Sequence, residues 1–273
     1  MPELPEVETV KETLKKQILN RRIVDVNIYY DNIIEYPTSG EFKKQIINQV
    51  IVDIKRRGKW LMFELNDYYL LSHLRMEGRY FLKNKGDSIL KHEHVTFVLD
   101  NEQELRYLDT RKFGRMHLIK KEEVLNRKPL NELGLEPWDE DLNVSYLKEK
   151  YKSKKLPIKT VILDQSIIVG IGNIYADEVL FLSKINPLKK ACELNYNDLE
   201  NIIKNTKITL EKAINAGGTT IRSYESSEGV HGRFQQELLV HSKENSNCVV
   251  CGTNILKIKV GGRGTYFCPD CQK

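Results

Sequence analysis

Pro2 and Glu3, with Glu6 and Glu8 close behind, begin the chain as Met1-Pro2-Glu3-Leu4-Pro5-Glu6-Val7-Glu8. A small second residue permits removal of the initiator Met, and Pro2 then becomes the amino terminus. A terminal proline is a secondary amine that can attack an electrophilic sugar or carbonyl carbon as a lysine amine does. The reference pKa of an α-amino group, about 7.7–8.0, leaves much of it uncharged near neutrality, where lysine is almost fully protonated. Val7, Val10, Leu14 and Ile18 follow at helical spacing, and Pro5 suits a first helical position. The positive end of such a helix disfavours a nearby ammonium and lowers the amine's pKa. The same residues also fit a plain amphipathic helix whose acidic first turn complements its dipole.

The strongest metal signal lies at the other end. Cys248-x2-Cys251 and Cys268-x2-Cys271 pair two knuckles across sixteen residues, the spacing of a four-cysteine zinc site. The site is structural rather than catalytic, because protein thiolates fill all four positions. Between the knuckles, Gly261-Gly262-Arg263-Gly264 joins two strand-like runs, and glycines around one arginine let the backbone turn sharply and approach a ligand closely. Residues 241–273 carry five basic residues against two acidic ones, which suits a phosphate backbone. An ordinary zinc ribbon with a solvated arginine fits equally well. Cys192 is left over, and a buried thiol is expected there.

Four further stretches could contact an anion or a base. Val169-Gly170-Ile171-Gly172-Asn173 would deliver Asn173 to a helix amino terminus, where main-chain N–H groups and an amide could bind phosphate. The nearby Lys152, Lys154, Lys155 and Lys159 add charge or form a solvated face. Arg56-Arg57-Gly58-Lys59-Trp60 sets three cations beside an aromatic. His73-Leu74-Arg75-Met76-Glu77-Gly78 and Asp109-Thr110-Arg111-Lys112-Phe113-Gly114 present Met76, Arg111 and Phe113. Apolar side chains inserted at a base step unstack it, and an arginine can replace lost base contacts. Taken singly, Met76 and Phe113 fit core positions and the arginines fit a surface. His92 and His94 have metal-like spacing but no third ligand, which leaves phosphate contact or surface placement.

These groups need a scaffold. Short alternating runs at Val24–Tyr30, Val50–Lys55, Trp60–Leu65, Tyr69–Leu74, Arg79–Leu82, Val95–Leu99, Glu104–Leu108 and Met116–Ile119 predict an antiparallel sandwich or barrel. Near Asn131 the texture changes: Gly134-Leu135-Glu136-Pro137 reads as a linker, and from Asp141 the pattern turns helical, with helices at Tyr146–Lys154, Ile158–Asp164, Asn173–Leu182 and Tyr196–Ala216. The polar stretch 219–237 reads as a mobile loop. The expected division is residues 1–130 as the β domain, 131–225 as the helical domain with a loop at about 217–237, and 238–273 as the zinc finger.

Composition agrees with a globular chain of two or more domains: 273 residues, 40% hydrophobic and 30% charged. No apolar run approaches the ~18 residues a bilayer span needs, and the acidic amino terminus lacks a secretory layout. Few cysteines, clustered, point to a reducing cytosol. A net charge of +5 favours an anionic partner only weakly.

In this order and over essentially the whole chain, these motifs resemble the bacterial formamidopyrimidine-DNA glycosylase family, also called DNA-(apurinic or apyrimidinic site) lyase. The resemblance implies an α+β, multidomain fold: a two-layered antiparallel β-sandwich with flanking helices, a helix–two-turn–helix bundle, and a β-hairpin zinc finger with one structural Zn2+. It implies a monomer in the bacterial cytoplasm that excises oxidised purines, 8-oxoguanine and formamidopyrimidines, from double-stranded DNA and then cleaves the strand by β,δ-elimination.

By the same resemblance the catalytic residues are Pro2 as nucleophile, Glu3 as proton shuttle, Lys59 as a phosphate contact assisting β-elimination, and Arg263, which grips the lesion's phosphate and serves δ-elimination; Glu6 supports the nearby proton network. His73 and Asn173 match further phosphate ligands, and His92, Arg111 and Lys155 match DNA contacts. Met76, Arg111 and Phe113 match a void-filling triad, with Arg111 facing the orphaned cytosine. Thr220–Tyr224 matches the segment that closes over the flipped base. Alternatives are an endonuclease VIII-type enzyme for oxidised pyrimidines and a non-catalytic binder of damaged DNA.

Overall fold

The computed structural model describes residues 1–219 and 232–273, which group into two compact units. Of these residues the first unit comprises Met1–Pro2, Glu6–Asn131, Thr219 and Gly232, and the second Glu3–Pro5, Glu132–Gly218 and Arg233–Lys273.

In the first unit, α1 (Leu4–Ile18) supplies Val7, Val10, Leu14 and Ile18 to a core built between two sheets. One sheet orders β1 (Ile23–Ile28), β7 (Glu93–Leu99), β8 (Gln103–Leu108) and β6 (Arg79–Asn84). The other orders β2 (Ile34–Tyr36), β9 (Arg115–Lys120), β5 (Tyr68–His73), β4 (Trp60–Glu64) and β3 (Asp53–Arg57). Val26, Phe97 and Leu105 from one layer and Ile54, Phe63 and Leu118 from the other are buried in that core. The alternation that predicts strands arises because each layer turns one face inward. All pairs are antiparallel except β2 with β9, which run parallel.

The sequence reading passes over α2 (Ser39–Ile46), although its signal is present. Thr38 accepts from the Glu41 N–H while the Glu41 carboxylate accepts from the Thr38 N–H, a reciprocal cap. Gly40, a poor helix former, masks the pattern.

Register brings the motif loops to one end of the sandwich. Trp60 pairs with His73 and His73 with Arg115 in one layer, while Glu93 and Arg79 both pair with Leu108 in the other. Loop 74–78 therefore crosses from the first of these layers to the second, and loop 109–114 crosses back at the same rim.

In the second unit, α3 (Val144–Tyr151), α4 (Ile158–Val161), α5 (Asn173–Leu182) and α6 (Tyr196–Asn215) enclose an apolar core of Leu147, Ile158, Val179, Ile202 and Leu210, joined by Leu4. α5 occupies the expected residues, α6 stops one residue early, and α3 and α4 each stop three residues early, α3 also beginning two residues sooner. β10 (Leu256–Val260) and β11 (Arg263–Phe267) form the expected hairpin. Its small core contains Phe181, Val240, Cys248, Ile255 and Cys268. Among the described residues no helix is long and apolar enough to cross a membrane.

Candidate active site

Glu3 is buried, and its carboxylate accepts from the main-chain N–H groups of Gly172 at 2.6 Å, Ile174 at 2.9 Å and Tyr175 at 3.4 Å. The opening turn of α5 thus serves as an anion site, as unsatisfied amides and a helix dipole favour. Its occupant is a side chain of the protein, which corrects the expectation that these amides bind phosphate. A Cβ on Gly172 would lie 2.3 Å from the Glu3 Cδ, so only glycine admits this approach. Leu4 N–H donates to the Gly170 carbonyl at 3.1 Å and completes the anchorage. Pro2, buried, is bonded directly to this fixed residue.

Asn173 donates from Nδ2 to the Gly264 carbonyl at 2.9 Å, and its Oδ1 is buried with no partner among the described residues. The bond to Gly264 ties α5 to the turn that carries Arg263 and leaves one amide N–H for another acceptor. Gly261 and Gly262 take left-handed φ values of +54° and +80°, and the Gly261 tip packs against Thr160 of α4. Arg263 stands exposed at the start of β11.

Lys159 corrects the reading of a solvated lysine run: it is 0% exposed. Its Nζ donates to the Asn173 carbonyl at 2.8 Å and to the Asp177 carboxylate at 2.6 Å. Burial depresses its pKa, against the opposing pull of Asp177 and Glu3. The other Asp177 oxygen lies 2.7 Å from Nδ1 of His241. Glu178, one residue on, accepts from the Leu239, Val240 and His241 N–H groups at 2.7, 3.0 and 2.8 Å. These bonds fasten the segment leading into the finger. Sequence reading missed both acids, because an apolar helix gives no hint that its two charged residues face inward. Lys155 is exposed, while Cys192 is half-buried rather than buried.

The four Sγ atoms of Cys248, Cys251, Cys268 and Cys271 lie within 4.8 Å of one another, with Cys248–Cys271 at 3.8 Å and Cys251–Cys268 at 3.4 Å. Tetrahedral zinc with Zn–S bonds of about 2.3 Å sets its sulfurs about 3.8 Å apart. The donor set therefore fits one structural zinc.

In the first unit, Lys59 is buried at the β3–β4 turn, and His73 ends the neighbouring strand with its ring edge-on to Trp60 at 4.8 Å. Nδ1 of His73 accepts from the Arg75 N–H at 2.9 Å, which assigns the proton of the neutral ring to Nε2 and makes that nitrogen a donor. Burial first, then the charges of Arg75 and Lys59, push the His73 pKa down to about 3. A native state that stays neutral while the unfolded chain takes up a proton near its ordinary pKa of 6.5 loses stability as pH falls from 6.5 toward 3. The expected slope from this residue approaches about 1.4 kcal/mol per pH unit. Melting curves of the native protein and His73→Gln should converge over that window; parallel curves would refute the assignment.

Glu6 accepts from both the N–H and the hydroxyl of Thr219, at 2.8 and 3.0 Å. It therefore holds the residue from which the 220–231 stretch departs; Thr220–Tyr224 lies outside the described residues. Glu8 pairs with Arg56 at 2.8 Å.

Phe113 is 46% exposed, Arg111 is exposed with its guanidinium 4.8 Å over the Phe113 ring, and Met76 is half-buried. None of the three is core. Asp109, wholly buried, accepts from the N–H groups of Arg111, Phe113 and Gly114 at 3.0, 2.8 and 2.8 Å and so shapes their loop. His92 is half-buried, with Nδ1 lacking a partner among the described residues. His94 differs from the surface expectation: it is buried, and Nε2 lies 2.8 Å from the Asp109 carbonyl.

A β-sandwich carrying motif loops at one rim, a helical unit clasping an acidic residue of the amino terminus, and a four-cysteine hairpin together define the helix–two-turn–helix, zinc-finger class. Residues 1–116 match the formamidopyrimidine-DNA glycosylase N-terminal domain, residues 133–225 the formamidopyrimidine-DNA glycosylase H2TH domain, and residues 246–273 the zinc finger found in FPG and IleRS. The chain belongs to the formamidopyrimidine-DNA glycosylase family. It is 50% identical to the formamidopyrimidine-DNA glycosylase of Oceanobacillus iheyensis, over 100% of this chain and 98% of that one. It matches a complex of Lactococcus lactis Fpg with DNA containing an abasic site at TM-score 0.93 and 40% identity, covering 99% of each chain. A complex of the wild-type Lactococcus lactis protein with DNA containing an oxidized pyrimidine matches at TM-score 0.92 and 40% identity, over 100% of each.

Proposed function

We propose that the protein is a DNA repair glycosylase that excises oxidised purines from duplex DNA and cleaves the resulting abasic strand, with Pro2 as nucleophile. The observation that carries this reading is the clamp on Glu3, which fixes the residue bonded to the reactive amine. Whole-chain identity to enzymes named for formamidopyrimidine lesions supports the substrate class.

The flipped nucleotide offers its sugar C1′, unreachable inside the stack. The Pro2 nitrogen bonds to C1′ while the glycosidic C–N bond breaks and its electron pair leaves with the base. Glu3 takes the N–H proton of the attached amine and passes it to the ring oxygen as the sugar opens, leaving an iminium. That electron sink acidifies C2′–H; loss of this proton expels the 3′ phosphate, and a second elimination expels the 5′ phosphate. Water then hydrolyses the iminium and frees Pro2. Lys59 contacts phosphate and assists the first elimination, and Arg263 grips the lesion's phosphate. His73 donates through Nε2, and Asn173 through its remaining N–H. His92, Arg111 and Lys155 contact DNA, and Met76, Arg111 and Phe113 fill the void. Zinc holds the finger and takes no part in bond making.

Functionally, residues 1–130, 131–225 and 238–273 divide into catalytic, DNA-binding and zinc-finger parts, working in the bacterial cytoplasm as a monomer. Borohydride trapping on an 8-oxoguanine duplex, followed by mapping of the cross-link, should return Pro2. A cross-link elsewhere, or none, would overturn the reading. Because one Lactococcus lactis complex holds an oxidized pyrimidine, the same duplex carrying thymine glycol is the competing substrate; faster cutting there would favour the pyrimidine alternative.

A Gly172→Ala chain should keep its melting temperature within a few degrees yet lose about two orders of magnitude in excision, the usual cost of a misplacement near 1 Å. The added methyl evicts Glu3 without backbone strain, since Gly172 has an ordinary φ of −125°. Single-turnover excision at the native rate would show that the clamp is dispensable.

A further inference from the structure

Loops 74–78 and 109–114 end at Gly78 and Gly114, and one phenol fills the space beside both. A Cβ on Gly78 would lie 2.2 Å from the Tyr107 hydroxyl oxygen and 2.6 Å from the Leu74 carbonyl oxygen. A Cβ on Gly114 would lie 1.8 Å from the same hydroxyl and 2.7 Å from Cζ. Neither glycine has a positive φ, so close approach, not backbone strain, excludes a side chain.

Tyr107 has no room to retreat. It is fully buried and packs on Tyr80 at 5.1 Å, Tyr80 lies edge-on to Phe63 at 5.6 Å, and the Tyr80 hydroxyl donates to Ser72 at 2.7 Å. Nearer the solvent the same two loops meet again, where the Thr110 hydroxyl donates to the Glu77 carboxylate. The loop that carries Met76 and the loop that carries Arg111 and Phe113 are therefore joined at the base and at the rim.

We propose that Met76, Arg111 and Phe113 move as one wedge, whose internal spacing is set by Tyr107 seated against Gly78 and Gly114 and by the Glu77–Thr110 hydrogen bond. This rests on the proposal that the three side chains fill the void left by the flipped nucleotide. Tyr107 is a positioning residue and touches no DNA. A void the size of one base must be filled to contact distance, because a gap leaves the flanking pairs unsupported and an overlap blocks insertion. Two separately mobile loops would meet this demand only by chance; a shared bolt meets it in advance.

The test is a double-mutant cycle on Gly78→Ala and Gly114→Ala. The substrate is an 8-oxoguanine duplex with 2-aminopurine beside the opposite cytosine, so that fluorescence reports insertion. Each single variant should reduce the fluorescence rise and lower kcat by about tenfold with KM little changed. Because both act on the same ring, the double variant should also lose about tenfold, where independent sites would multiply to about a hundredfold. Cleavage of an abasic site in single-stranded DNA, which has no void to fill, should stay at the native rate.

Phe113→Ala tests the underlying reading separately: a native fluorescence rise there would remove the wedge altogether. If Phe113→Ala abolishes the rise while the glycine effects multiply or vanish, the coupling is wrong and the wedge stands. Should a glycine variant fail to fold, Thr110→Val and Glu77→Gln form the same cycle at the rim, with the same non-additive result expected.

Discussion

Pro2→Gly is expected to lose at least about two orders of magnitude in base excision, about 2.7 kcal/mol of transition-state stabilisation, while lesion-DNA binding persists. Glycine would still offer a terminal amine, so the loss must come from what proline adds. The ring ties the nitrogen to the side chain, stops rotation about N–Cα and so restricts the direction of the nitrogen lone pair. A glycine in its place rotates freely, even though the next residue is clamped by Gly172, Ile174 and Tyr175. A secondary amine also passes directly to a cationic iminium, whereas a primary amine gives an imine that must be protonated to become an equal electron sink. Binding should survive because the proposed phosphate contacts, Lys59, His73, Asn173 and Arg263, are untouched. Single-turnover excision and a gel-shift titration on the same 8-oxoguanine duplex separate the two quantities. Excision at the native rate would dismiss Pro2 as nucleophile, and loss of binding in step with excision would recast it as a docking residue.

What the sequence revealed and what it hid divide along contact distance in the chain. The α5 bounds are legible because Gly172 and an apolar run mark its start locally. The zinc site is legible because the knuckle spacing is itself the chelate geometry. β1 and β3 to β9 are legible from alternation, but the three-residue β2 is not, nor is its parallel pairing with β9, since nothing near Ile34 names Met116 as its neighbour. The same limit hides the Glu3 clamp, whose partners lie about 170 residues away.

Burial of charge is the second thing composition conceals. Lys159 sits among lysines that do face solvent, and only the placement of Asp177 beside it makes its burial tolerable. His94 and His92 are indistinguishable by type, yet one holds the Asp109 carbonyl and the other has a ring nitrogen without a partner among the described residues. Met76 and Phe113, where singly the core reading wins, are the reverse case: apolar residues held at a loop rim by the buried Asp109 and Tyr107.

Cys268→Ser should lose the zinc and weaken binding to lesion DNA by about tenfold or more, roughly what forfeiting one or two charge-assisted phosphate contacts costs. Cys268 is fully buried, and beyond the ligand thiols the finger's core rests on little more than Val240, Ile255 and Phe181. Structural zinc contributes on the order of 10 kcal/mol to such a segment, far more than this core can replace. The finger is also stitched to its own unit by Asn173 to Gly264, by Gln272 to the Ile185 carbonyl and by Glu178 to the chain at 239–241. Those ties should limit the damage to the hairpin, so the helical core keeps its melting transition while Arg263 loses a fixed position. Metal analysis, limited proteolysis and a salt-dependent binding titration distinguish the outcomes. Loss of zinc with a flatter salt dependence is expected, because fewer cations then meet phosphate. Undiminished affinity after zinc removal would mean that the α5 and α4 contacts alone hold the Arg263 turn, and the metal would then have no part in DNA recognition.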